Sequence, residues 1–139
     1  MLVKRYMQTK VVKVGPDERA NAALYMMKKK GIRHILVTDD SALVGIITDR
    51  DFRLMRPSPA ASLSIYEAHY LLDKVTVKEI MSKRVITVTP ETTIAEAAHL
   101  LLNRRIGALP VLKDEKVVGI ITATDMIRVL IDLEEAQGT

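Results

Sequence analysis

Apolar positions along the chain follow two different periods, and the whole succession occurs twice. An aliphatic run at 11–14 reads as a short strand, and a proline follows it. Ala20, Ala23, Leu24 and Met27 then recur at the spacing of one helical face, which predicts a helix over 19–30. A strand at 34–37, a turn at Asp39-Asp40-Ser41 and a strand at 43–48 read as a hairpin, with a helix starting near Asp49. The second passage places strands at 85–88, 109–112 and 117–122, a helix over 93–104, a turn at Lys113-Asp114-Glu115 and a last helix from near Ala123. Thr76-x-x-Glu79 and Thr93-x-x-Glu96 are capping boxes that mark helical starts. The third strand of each set is almost continuously aliphatic, which predicts burial on both faces. Each passage is therefore a β-α-β-β-α unit.

The two passages align without gaps at an offset of 74. Sixteen of the 53 positions in 3–55 are identical to their counterparts in 77–129, and Val44-Gly45-Ile46-Ile47-Thr48 is repeated as Val118-Gly119-Ile120-Ile121-Thr122. Self-similarity at a fixed period over this length marks a duplication. The expected division is a first repeat at 1–56, a connector at 57–76 and a second repeat at 77–139. The connector opens on Pro57-Ser58-Pro59, and Ser64-x-x-Glu67 then begins an expected helix with Ile65, Ala68, Leu71 and Leu72 on its apolar face. A unit of about 55 residues buries little surface alone, so the expected fold is α/β: two units related by a pseudo-two-fold axis, sheets packed together, helices outside, with two equivalent clefts.

Composition narrows the functional classes. The 139 residues contain no Cys and no Trp, and aromatics make up 4%. Disulfides, thiol nucleophiles and thiolate metal sites are excluded, a reducing cytoplasm fits, and stacking platforms for single-stranded nucleic acid are poorly supplied. No apolar run reaches the roughly 20 residues of a membrane span, and the N-terminus lacks the apolar core of a signal peptide. The net charge of +4 is uneven: residues 1–56 carry 12 Lys and Arg against 6 Asp and Glu, while residues 77–139 carry 8 against 9. A basic first half suits a phosphate-bearing ligand, or nucleic acid, which the missing motifs and aromatics oppose. Metal-ligand spacings, phosphate-binding glycine loops and nucleophile elbows are absent from the sequence, so an enzyme is the least supported class.

The chemistry-bearing positions are Thr48-Asp49-Arg50-Asp51 and Thr122-Ala123-Thr124-Asp125, each where a buried strand runs into a helix. Free backbone N–H groups and the helix dipole favour an anion there, and a carboxylate one turn in can accept hydrogen bonds from both hydroxyls of a ribose. Thr-x-x-Asp is equally a helix cap, and both readings stand. In the first copy Arg33, His34 and Arg50 are three potential cations. In the second copy Gly107, Ala108 and Thr124 replace them, small enough for a flat ring to approach the backbone.

The paired 44–51 and 118–125 ends, together with Ile106-Gly107-Ala108-Leu109-Pro110-Val111, Met81-Ser82 and the strand at 85–90, resemble a CBS-domain pair over nearly the whole chain. The connector is similar to that of acetoin-utilisation AcuB-type proteins, which often carry a further C-terminal regulatory domain. The resemblance implies a non-catalytic regulatory module that binds AMP, ADP, ATP or S-adenosylmethionine, and a homodimer in which two pairs stack as a disc. It implies a main cleft of Thr48, Arg50, Asp51, Arg33 and His34 for ribose and phosphate, with Thr89, Ile94, Ile106, Gly107 and Ala108 around adenine. It also implies a weaker second cleft of Thr122, Asp125, Gly15, Ala20 and Ile32. Leu36 stands where the family's strand proline is kept as Pro110. The rival to ligand binding is a purely structural dimerisation module whose motifs only cap helices.

Overall fold

The computed structural model describes residues 1–54 and 73–138. The expected connector helix at Ser64 and Glu67 lies outside the described residues. The chain divides into two compact units, and they are not the two repeats. Unit 1 is built from Met1–Val11 with Ile86–Thr139, and unit 2 is Val12–Val85. Each repeat gives its first segment to the unit that holds the other repeat's sheet.

In chain order the elements are α1 (Val3–Tyr6), β1 (Lys13–Val14), α2 (Ala20–Lys30), β2 (His34–Asp39), β3 (Ala42–Thr48), α3 (Asp49–Leu54), α4 (Val77–Ile80), α5 (Ile94–Arg104), β4 (Ala108–Lys113), β5 (Lys116–Thr122) and α6 (Ala123–Gln137). Unit 2 holds β1-β2-β3, with β1 parallel and β3 antiparallel to β2; unit 1 holds the antiparallel pair β4-β5. Both hairpins shift register at equivalent places, Val37/Thr38 and Val111/Leu112. Both turn through two residues of positive φ, Asp40 and Ser41 or Asp114 and Glu115. That conformation matches the right-handed twist of the flanking strands, and it is reached here without glycine.

The expected strands at 11–14 and 85–88 are shorter than the pattern suggests, and unequally so. In unit 2 the Leu36 N–H donates to the Val12 carbonyl at 3.1 Å, and β1 runs for two residues. In unit 1 the equivalent of Leu36 is Pro110, which has no N–H, and only the single bridge Val88–Val111 remains.

The two cores repeat each other almost residue for residue. Val14, Ala20, Ala23, Met27, Ile35, Val37 and Ile47 fill unit 2; their counterparts Val88, Ile94, Ala97, Leu101, Leu109, Val111 and Ile121 fill unit 1. The exchange completes each set. Val3, from the first repeat, is buried with the second repeat's residues, and Val77 with the first's, both 0% exposed. The exchanged segments are held by reciprocal backbone bonds: Val3 N–H to Thr92 O and Val77 N–H to Glu18 O, each 2.8 Å.

Gln8 then bridges Ile120, and Ser82 bridges Ile46, directly over a glycine of the hairpin. A Cβ on Gly119 would stand 2.8 Å from the Gln8 carbonyl oxygen and 3.0 Å from Met7 Sδ. On Gly45 it would meet the Met81 Sδ at 2.5 Å and the Ser82 carbonyl at 3.0 Å. The repeated Val-Gly-Ile-Ile-Thr block thus has a packing cause. Gly119→Ala is expected to destabilise the protein by about 1–3 kcal/mol. Gly45→Ala is expected to cost less, because a flexible thioether rather than a carbonyl is its nearest obstacle. Urea unfolding midpoints of the two variants check the order.

Candidate nucleotide site at the end of β3

β3 delivers Thr48 to the end of the hairpin, and α3 starts at the next residue. His34 stands opposite Thr48 in the antiparallel register, and the Asp49 N–H donates to the Arg33 carbonyl at 3.1 Å. Unit 2 therefore brings together five of the expected site residues, Arg33, His34, Thr48, Arg50 and Asp51, at the junction of two strands and a helix.

Asp51 is at once a cap and an open acceptor. Its Oδ2 accepts from the Thr48 N–H at 2.8 Å and from Thr48 Oγ1 at 3.2 Å, while the Asp51 N–H lies 3.4 Å from Thr48 Oγ1. These are the contacts of a helix cap. Its other oxygen, Oδ1, has no partner among the described residues, and the side chain is only part-buried. Arg33 and Arg50 are both exposed, and neither forms an ion pair among the described residues. Asp49 is engaged with Arg53 at 3.9 Å, one turn along α3.

His34 departs from the expectation of three cations. Burial lowers its pKa below the ordinary 6.5, Arg33 lowers it further, and Asp49 opposes the shift. The imidazole is therefore neutral at pH 7, and the site offers two guanidiniums and a neutral ring nitrogen pair.

Unit 1 presents the same junction without the charges. Ala108 stands opposite Thr122, and the Ala123 N–H donates to the Gly107 carbonyl at 3.0 Å. Asp125 caps α6 as Asp51 caps α3, through Thr122 N–H at 2.9 Å and Oγ1 at 3.1 Å. It is fully buried and its second oxygen is occupied by Gln8 and Arg128.

The remaining expected residues divide between the units. Ile106, Gly107 and Ala108 gather beside Thr122 in unit 1, and Ile32 lies half-buried against the core of unit 2. Thr89 and Gly15 are equivalent turn residues. The Thr89 N–H is taken by Thr92 Oγ1 at 3.0 Å and that of Gly15 by the Glu18 carboxylate. Ile94 and Ala20, also equivalent, are 7% and 0% exposed and belong to the two cores. Sequence reading missed Gln8 and Arg128, which no motif distinguishes. Among the described residues no group of His, Asp and Glu is arranged to hold a metal ion, and no helix is long and apolar enough to cross a membrane.

The sequence pattern of the CBS domain matches residues 3–56 and 77–132. Among solved structures, an acetoin utilization protein (AcuB) from Vibrio cholerae is 27% identical, covers 99% of this chain and 96% of its own, and superposes with a TM-score of 0.81. The CBS domain pair of protein MJ0100, solved with 5′-methylthioadenosine and S-adenosyl-L-methionine, is 26% identical with a TM-score of 0.78, covering 96% of this chain and 98% of its own. CBSX2, solved in complex with AMP, is 26% identical with a TM-score of 0.78 over the same shares.

The His34 environment has a measurable consequence. Its imidazole titration, followed by NMR, is expected to fall below 6.5; Asp49→Asn lowers it further and Arg33→Gln raises it. Because folding favours the neutral ring, unit 2 is expected to lose stability as pH falls below 6.5, down to the pH at which the folded imidazole protonates.

Proposed function

The chain belongs to the CBS domain family, and from that premise we propose that it is a regulatory, non-catalytic module that binds AMP, ADP, ATP or S-adenosylmethionine at the β3–α3 junction of unit 2. The observation that carries the reading is Asp51 Oδ1. It is a carboxylate oxygen left without a partner by the described residues, at a junction whose Arg33 and Arg50 are exposed and form no ion pair among the described residues. A ribose hydroxyl supplies the donor that this oxygen lacks, and Arg33 and Arg50 supply fixed charge for phosphate. Neutral His34 completes the set as a hydrogen-bonding group that becomes cationic when an anion raises its pKa.

The ligands bound by MJ0100 and CBSX2 support an adenosine-containing compound. Regulation follows from differential affinity: a ligand that binds one conformation better shifts the population toward it, and a partner protein reads the shift.

A second reading, association of two copies, is favoured by α6. Ile127, Leu130 and Ile131 are 59%, 57% and 49% exposed at helical spacing on one stripe. Leu130→Asp is expected to lower the mass measured by light scattering to that of one chain if this stripe is the contact. A thermal-shift screen with the four ligands tests binding, since a bound ligand at a hundred times its Kd adds about 2.7 kcal/mol of stability. By calorimetric titration, Asp51→Ala is expected to weaken binding at least tenfold, about the worth of one charge-assisted hydrogen bond. Asp125→Ala is expected to leave the affinity closer to that of the unaltered chain. No thermal shift with any of the four ligands contradicts the proposal.

A further inference from the structure

The two junction carboxylates share one cap geometry but differ in what reaches their second oxygen. In unit 1, Asp125 Oδ1 accepts from Arg128 Nη1 at 2.6 Å and from Gln8 Nε2 at 3.0 Å. With Thr122 N–H and Oγ1 on Oδ2, four donors meet the four acceptor sites of the carboxylate, whose side chain is 1% exposed. A ligand hydroxyl finds no acceptor there.

The counterparts of Gln8 and Arg128 at the offset of 74 are Ser82 and Leu54. Ser82 makes the same backbone bridge to Ile46 that Gln8 makes to Ile120, with N–H to O distances of 2.9 and 3.0 Å against 2.8 and 2.9 Å. The backbone frames therefore match, and the difference lies in the side chains. A serine is two bonds shorter than a glutamine, no hydrogen bond joins Ser82 to Asp51, and leucine offers no donor. Among the described residues Asp51 Oδ1 stays open as a result.

We propose that Gln8 and Arg128 act as internal ligands that close Asp125 to nucleotide, so that this chain binds through Asp51 alone. Gln8 reaches the site because the first repeat's opening segment is folded into unit 1. Two side chains thus set the stoichiometry of binding. The proposal rests on the reading that a junction carboxylate is the ribose acceptor.

The test is AMP binding counted by calorimetry on the full chain, with Gln8→Ser and Arg128→Leu combined to copy the open arrangement. The unaltered chain is expected to bind one AMP per chain and the double variant two, the added one being lost with Asp125→Ala. Ser82→Gln, at an exposed position with little risk to folding, is expected to weaken the original site several-fold by supplying the missing donor to Asp51. A double variant that still binds one AMP while its β4–β5 amides keep their hydrogen-exchange protection overturns the proposal. So does Ser82→Gln with unaltered affinity, if the double variant does not fold. An unaltered chain that binds no AMP, beside a double variant that binds one through Asp125, removes the reading of Asp51 and leaves the closure standing.

Discussion

A strand crossing laid directly on a glycine is the contact on which the rest of the structure depends. Gly45 and Gly119 sit mid-strand where the exchanged segment passes so closely that a Cβ would stand 2.8 Å from the Gln8 carbonyl oxygen at Gly119, and 2.5 Å from Met81 Sδ and 3.0 Å from the Ser82 carbonyl oxygen at Gly45. The glycine forgoes side-chain packing, and in return the backbone of Ser82 or Gln8 closes two hydrogen bonds against Ile46 or Ile120. That crossing seats Val77 and Val3 in the cores and completes two sets of buried aliphatics that neither repeat supplies from its own sequence. The exposed pairs Lys78–Asp17 at 2.8 Å and Lys4–Glu91 at 3.4 Å flank the exchanged segments and add little beside that burial.

The same crossing fixes where chemistry can occur. Three residues beyond each glycine the strand ends in a threonine, and the helix that follows needs a cap. One oxygen of Asp51 or Asp125 meets that structural need. The other is surplus, and its fate depends on neighbours that the fold does not dictate. Capping and ligand binding are therefore compatible in this frame, because they draw on different oxygens of one carboxylate. In unit 1 the surplus oxygen is absorbed by Gln8 and Arg128; in unit 2 it has no hydrogen-bond partner among the described residues, at a junction that also carries half-buried His34 and exposed Arg33 and Arg50.

The duplication, the order of elements and both hairpin turns were legible in the sequence, because hydrophobic period and turn residues are local signals. The CBS-domain pair was legible from the paired strand ends. The exchange of opening segments was not. Val3-Lys4 and Val77-Lys78 are identical, so sequence similarity cannot say which sheet each one joins. The shortened strand of unit 1 was half legible: Pro110 stood out as a difference between copies, but its effect required knowing that the Leu36 N–H is the one bonded to Val12. Arg33, His34, Thr48, Arg50 and Asp51 lie at one junction of two strands and a helix, and Ile94 and Ala20 are buried in the two cores. The protonation of His34 depends on burial, and the closure of Asp125 depends on a glutamine 117 residues away, neither of which a motif encodes.

Asymmetry between two inherited sites is the central claim, and residue-resolved NMR during a titration with AMP addresses it most directly. The account predicts progressive shifts of the Thr48 and Asp51 amides and of the His34 ring, with the Thr122 and Asp125 amides unmoved. Shifts of equal size at both junctions, or none at Asp51, would contradict it.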